Sequence, residues 1–532
     1  EKVATLLTTY FNQEGLPEVI APYRDYLKGK AQDLLATLSP SENSENSENS
    51  QTACAARTPK TACAARTLRP EDLLFLLGDC LREPAAHTID IFLEGLISLQ
   101  DNFPADWAKS LSPYIKQLTK RKGKEIPTDM ILLGVLCALI DQRPLTLDPK
   151  CSYTWEEMNQ KREKLSEKEF EAYTRDYYLD KARQVLPFLF RKGQMVIDAI
   201  LQHCHLPLLS TPTHLPFYIE AEVLVDKLLQ YEAQGKSPDL DDLIVACNRL
   251  LFWEVSAAAK EKAQQLKGDY APAIQYYLGL TDKIQLNEAL LPLWTQITRL
   301  KHPDEEFKVF ENTQAKNILS VVKPFYIRYG WEKRTYANGE VGEEFTYHCN
   351  HYYKYKNKKS RPALYNYYNA NEGEHTSAQE AEYKLSLNPH YPDAILCAYI
   401  ALWATMNEAD QVRDMTLPLE AVLRYDLRVR HSGWLYIGAC LLFEKRPSRD
   451  LAYEYICQAI ARGEDLTHLK TYLANVLAWD YLPIPRFIEF LDRPNPSAVK
   501  AFGKEVVELY LEEVKKQDKL PRNHKKLATF ND

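Results

Sequence analysis

The feature that most constrains this chain is a stripe of apolar residues that returns at helical spacing, segment after segment. Leu240, Leu243, Ile244, Cys247, Leu250 and Leu251 recur every three or four positions, which lines one face of an α-helix. Ser237, Pro238 and Asp239 precede them as an expected cap, first-position proline and first-turn acid. Just upstream, Ala221, Leu224, Val225, Leu228 and Tyr231 mark a helix expected to stop near Gly235. Two such helices joined by a short loop form an αα-hairpin. The unit recurs farther along, where Ser448 is expected to cap a helix with Ala452, Tyr455, Ile456 and Ala459 inward, ending at Gly463. Leu466, Leu469, Leu473, Val476 and Leu477 mark its partner. Beyond Pro483 and Pro485 come a short helix at 487–491 and a last one carrying Val499, Phe502, Val506 and Tyr510. A helix pair leaves an apolar face uncovered unless a neighbour stacks on it, which is the logic of a solenoid. The expected fold is therefore mainly α, an α-solenoid of antiparallel helix pairs.

One stretch departs from that period. Residues 325–357 are rich in Tyr, Phe and Thr, with Asn338-Gly339 between two such runs, the signal of a tight β-hairpin. A small β excursion is expected there, dividing the helical array. A second departure is low complexity: Ser41-Glu42-Asn43 occurs three times in succession, and the run from Thr52 to Thr58 repeats from Thr61 to Thr67. Such duplications offer no apolar face to bury and predict a flexible loop. The expected organisation is helices at 1–38, this loop at 39–68, helical repeats at 69–320, a hairpin with a Tyr/Lys-rich insertion at 321–375, and repeats at 376–532.

Composition narrows the function classes. The net charge of −7 argues against nucleic acid or anionic membrane as a partner of the whole surface. The longest apolar run, from Met130 to Ile140, is too short for a bilayer and reads as a buried helix. Cys137, Cys247, Cys397, Cys440 and Cys457 sit inside helical apolar patterns, as reduced thiols in a core do. With no basic-then-apolar leader after Glu1, the expected setting is cytoplasmic, with no membrane partner.

Two stretches carry a family resemblance. The run Leu206-Pro207-Leu208-Leu209-Ser210-Thr211-Pro212-Thr213-His214, leading into the helices at 220–251, resembles a segment of uncharacterised bacterial helical-repeat proteins related to MolR-like proteins. Arg446-Pro447-Ser448-Arg449-Asp450-Leu451-Ala452, continuing through Gly463 to Leu466, is similar to the HEAT-like helices of the same group. The resemblance implies a HEAT-like scaffold or adaptor, a protein partner such as a MoxR-type AAA+ ATPase, and no catalytic residues. Tyr329-Gly330-Trp331 is not the Trp-Gly-Arg motif. Physically, the 210–214 run reads as a structured connector, because its hydroxyls can bond backbone groups while Pro212 fixes a turn.

Other chemistry is sparse. His203, Cys204, His205 and His214 form the densest set of metal-ligand types, and His203, His205 and His214 are the candidates for a metal-dependent enzyme. His348, Cys349 and His351 are a fainter set, and the duplicated Cys54 and Cys63 are not read as ligands. No phosphate-binding glycine loop, nucleophile elbow or HExxH helix occurs, so no cofactor is expected. Acidic pairs such as Asp241-Asp242 and Glu343-Glu344 are expected on polar faces or turns. The strongest basic run holds Tyr352, Tyr353, Lys354, Tyr355, Lys356, Lys358, Lys359 and Arg361, with Tyr365, Tyr367 and Tyr368 following. Its lysines can meet phosphates and its tyrosines can stack on bases, so single-stranded nucleic acid is the alternative to a protein partner. The leading expectation is a non-enzymatic scaffold that binds protein through an extended helical face.

Overall fold

In a computed structural model of the chain, the apolar stripes form helices most of whose buried faces merge into a core running from Leu73 to Leu527, with Tyr153, Met158, Tyr173 and Tyr177 in a small second cluster. The structure describes residues 68–531 except 83–84, 121–125, 149–152, 253, 318–321, 325–326, 336–338, 350–377 and 404–415. The chain divides into two units, residues 1–57 and 58–532, and every described residue lies in the second. The expected helices at 1–38 and loop at 39–68 thus fall outside the described residues, Leu68 aside.

The first part of that unit carries α1 (Pro70–Arg82), α2 (Ala86–Ser98), α3 (Trp107–Lys120), α4 (Pro127–Asp141), α5 (Trp155–Arg162), α6 (Glu167–Val185), α7 (Pro187–Leu201), α8 (Ala221–Ala233), α9 (Leu240–Asn248), α10 (Ala257–Ala263), α11 (Ala271–Tyr277) and α12 (Leu291–Lys301). Two strands follow, β1 (Ile327–Thr335) and β2 (Val341–Cys349). Then come α13 (Ala378–Ser386), α14 (Asp393–Trp403), α15 (Leu417–Arg424), α16 (Gly433–Leu441), α17 (Arg446–Ala461), α18 (Thr467–Ala478), α19 (Ile484–Leu491), α20 (Ser497–Val514) and α21 (His524–Ala528). The fold is mainly helical with one small antiparallel sheet, as the periodicity predicts. Some sequence neighbours pack as pairs, α1 on α2, α3 on α4 and α16 on α17, but α8 packs on α10 rather than on α9, and α18 on α20 rather than on α17, the partners expected from the sequence. The 130–140 run forms most of α4, with Pro127 in its first turn and Gln142 closing it in the left-handed region. Gly235 and Gly463 follow α8 and α17 at φ +63° and +70°, conformations that cost a residue with a Cβ.

Several local expectations change. The cap of α9 is Asp239, whose carboxylate accepts from the Asp241 and Asp242 amides, so Pro238 stands before the cap and Ser237 plays no part in it. Ser448 lies inside the first turn of α17, fully buried, its hydroxyl 2.7 Å from Thr416 Oγ1 rather than on the helix end. Asp241 and Asp242 are buried, not on a polar face. The stripe at 240–251 outlasts its helix: Leu250 pairs with Ile219 in an isolated parallel bridge, and both are buried. Beyond the hairpin in sequence, α13 packs on α2 and α4. Thr335 faces Val341 in register, so five residues connect the strands where two were expected.

Candidate functional site

The deepest polar feature joins α2, α7, α9 and α13. Asp90, Lys192 and Arg249 are each fully buried. Asp90 Oδ1 accepts from Lys192 Nζ at 2.7 Å, and its other oxygen accepts from the Arg249 guanidinium. Arg249 also donates to the carbonyls of Ser210 (2.7 Å) and Ser386 (2.8 Å) and to the Ser386 hydroxyl. Asp242, likewise fully buried, receives the amides of Leu209 and Ser210. Burial alone would raise the Asp90 carboxyl, but the adjoining Lys192 and Arg249 cations outweigh it and hold the group below the usual carboxylate range. Two anions and two cations therefore balance out of reach of solvent. Such a node holds chain segments in place and exposes no reactive atom.

What it holds is the connector at 206–214. Leu208 N donates to Glu94 at 2.8 Å, Lys227 Nζ to the Leu208 carbonyl at 2.6 Å, and Tyr231 OH to the Pro207 carbonyl at 3.0 Å. Thr211 Oγ1 reaches Glu94, and Thr213 Oγ1 receives the Glu220 amide ahead of α8. The hydroxyl-rich run is thus a rigid link between α7 and α8, tied to backbone and side-chain groups.

The hairpin is largely open to solvent, β1 being exposed over 331–335. Tyr329, Trp331, Phe345 and Tyr347 share one face, since Tyr329 pairs with Tyr347 and Trp331 with Phe345 across the strands. That face lies on α18 and the residues after it. Phe345 stacks on Tyr481 at 3.5 Å between centroids, Tyr329 Oη receives Asn475 Nδ2 at 3.1 Å, and the Tyr347 and Tyr472 hydroxyls are 2.7 Å apart. Trp331 meets Phe345 and Tyr481 edge-on yet stays 47% exposed, and Val341, farther out on the same face, is 66% exposed. The opposite face is charged: Arg334 pairs with Glu344 and His348 with Glu332. Glu343 and Glu344 are strand residues, Glu344 on this charged face and Glu343 on the aromatic one.

The metal candidates are not brought together. His203 follows α7 in a left-handed conformation, φ +49°. His205 Nε2 lies 3.1 Å from Asp101, and its Nδ1 lies 3.1 Å from Gln100 Nε2. His214 Nδ1 faces Thr213 Oγ1 at 3.0 Å, and Cys204 Sγ receives Lys236 Nζ at 3.2 Å. Among the described residues, no group of three or more His, Cys, Asp or Glu side chains is placed to hold a metal ion. The basic run of Tyr352, Tyr353, Lys354, Tyr355, Lys356, Lys358, Lys359 and Arg361, and with it His351, lies outside the described residues. No described helix is long and apolar enough to cross a membrane. The sequence reading missed Asp90, Lys192 and Arg249; the available signal was a charge within an apolar helical stripe, as in Ile89-Asp90-Ile91-Phe92-Leu93.

Residues 68–318 match a family model described as a domain of unknown function, DUF7824. Residues 320–530 match a second, DUF7825. No curated protein and no solved structure matches the chain. The two matched regions share the buried node: Asp90, Lys192 and Arg249 belong to the first, while Ser386 belongs to the second. Asn248 Nδ2 makes the same crossing to the Leu387 carbonyl at 2.9 Å.

Proposed function

We propose that this chain is a helical-repeat scaffold that acts by binding a protein partner, with the aromatic face of the hairpin as a principal contact. The observation that carries the reading is Trp331, half-exposed on a hairpin whose inner rings are locked onto α18. A large ring held in place loses little conformational freedom on binding, and Trp is enriched among residues that dominate interface energies. Val341 is exposed on the same face, and the cross-strand neighbours Lys333 and Glu343, which lie between it and Trp331, give the ring a charged border. The relation to MolR-like HEAT-repeat proteins, a bacterial cytoplasmic setting and a MoxR-type AAA+ ATPase as the partner are parts of this proposal, supported by the resemblance at 206–214 and 446–466.

The test is a photo-crosslinking residue introduced at Val341, in cells of the native host. A single protein joined at stoichiometric yield, and no longer joined once Trp331→Ala is added, supports the reading; an AAA+ ATPase would fix the partner class. No crosslink at 341, with nucleic acid retained through the 352–361 segment instead, would overturn it in favour of nucleic-acid binding.

A further inference from the structure

Three side chains from distant parts of the chain meet at the surface. His431 Nδ1 lies 2.7 Å from His468 Nε2, with ring centroids 4.5 Å apart and planes at 76°. On its other side His431 Nε2 hydrogen-bonds the Asp304 carboxylate. We propose that His431 and His468 form a bidentate imidazole site for a divalent transition ion such as Zn²⁺, with Asp304 as the carboxylate that orients His431.

Each member stands on its own brace. Arg299, buried in α12, donates to the carbonyls of Pro303 and Glu305, both at 2.9 Å, and so fixes the turn that carries Asp304. Asp393, buried at the start of α14, accepts the Arg430 and Gly433 amides and fixes the turn that carries His431. Gly433 is needed for that approach, since a Cβ there would sit 2.7 Å from Val429 Cβ and 2.9 Å from Asp393 Oδ1. Asp465 accepts the Thr467 amide at 2.9 Å, setting the first turn of α18 where His468 lies.

The tautomers follow from the partners. With Asp304 accepting the Nε2 proton, His431 presents a lone pair at Nδ1, and His468 fills the gap with its own Nε2–H. An ion takes the place of that one proton, which returns through solvent to His468 Nδ1, so both rings stay neutral and both facing nitrogens become ligands. Zn–N bonds of about 2.0–2.1 Å at a tetrahedral angle put the nitrogens roughly 3.3 Å apart, so the rings must part by about 0.6 Å and tilt until both lone pairs converge on the ion. The carboxylate–histidine–metal arrangement is the usual way in which a ligating ring is oriented and made more basic. With two protein ligands and no third among the described residues, water completes the shell and the ion exchanges. Imidazole ligands suit Zn²⁺, Cu²⁺ and Ni²⁺ better than Mg²⁺ or Ca²⁺.

The experiment is calorimetric titration of the full chain with Zn²⁺, alongside His468→Ala and Asp304→Asn. The wild type is expected to take up one ion that His468→Ala does not. Asp304→Asn should weaken that uptake by about 10–100-fold, the usual loss when such an orienting group is removed. Uptake unchanged in His468→Ala, or no saturable uptake by the wild type, would overturn the proposal. Should His468→Ala fail to melt like the wild type, Cu²⁺ electron paramagnetic resonance on the unaltered chain decides. Two imidazole couplings support the site, and one or none rejects it.

Discussion

Replacing Arg249 with methionine should unlock the joint between the two matched regions. The side chain is fully buried and spends its donors on Asp90, the Ser210 and Ser386 carbonyls and the Ser386 hydroxyl. Arg249→Met keeps much of the apolar volume but leaves two anions, Asp90 and Asp242, facing the single cation Lys192. Removing one partner of a buried ion pair costs about 3–5 kcal/mol, because the remaining charge stays buried without compensation. The unfolding entropy of a unit of this length is on the order of 1 kcal/mol per kelvin, so the melting temperature should fall by roughly 4 °C. Urea unfolding followed by circular dichroism measures the loss directly. A double change, Asp90→Leu with Arg249→Met, should cost less than Arg249→Met alone, since it leaves Lys192 and Asp242 as one cation and one anion. An Arg249→Met loss within about 1 kcal/mol of wild type, typical of an ordinary substitution rather than a broken ion pair, or a double variant less stable than Arg249→Met, would refute this.

Further outcomes follow from the same geometry. With its folded-state value held below the unfolded one, Asp90 adds stability that is full above the ordinary carboxylate range and lost as pH falls through the folded value; Asp90→Asn should therefore show a shallower decline of urea midpoint in acid. Burial pushes His390 down to about 4, whereas an unfolded histidine titrates near 6.5. The unfolded chain then binds the proton first, so stability is full above about 6.5 and falls toward pH 4; His390→Gln, which can still donate to the Leu250 carbonyl, should flatten that window. Tyr472→Phe deletes one hydroxyl of the 2.7 Å pair with Tyr347 and should cost about 1–3 kcal/mol, seen as faster amide exchange confined to β1 and β2.

The helices were readable because their stripes are dense: Ala221, Leu224, Val225, Leu228 and Tyr231 are all buried, as are Ala452, Tyr455, Ile456 and Ala459. Helix starts were less so. Ser237, Pro238 and Asp239 all suit a helix start, and only the hydrogen bonds from the Asp241 and Asp242 amides single out Asp239 as the cap. The hairpin was visible in its aromatic strands, but its register was not, because Asn338-Gly339 suggested a tighter turn than the strands make. The buried node escaped because local spacing assigns polar residues to the surface, and Asp90, Lys192 and Arg249 are tolerated inside only through one another. The partners lie 102 and 159 positions apart, beyond any periodicity. His431, His468 and Asp304 escaped for the same reason, while the adjacent His203, Cys204 and His205 drew attention through proximity in sequence alone.

Trp331 is the proposed anchor for a protein partner. The decisive number is the dissociation constant of the crosslinked partner for the wild-type chain and for Trp331→Ala, measured with a circular dichroism control. An interface anchor worth about 2 kcal/mol or more predicts at least about 30-fold weaker binding in the variant, with the fold intact. Equal affinity for the two chains would contradict the assignment and move the binding surface away from the hairpin.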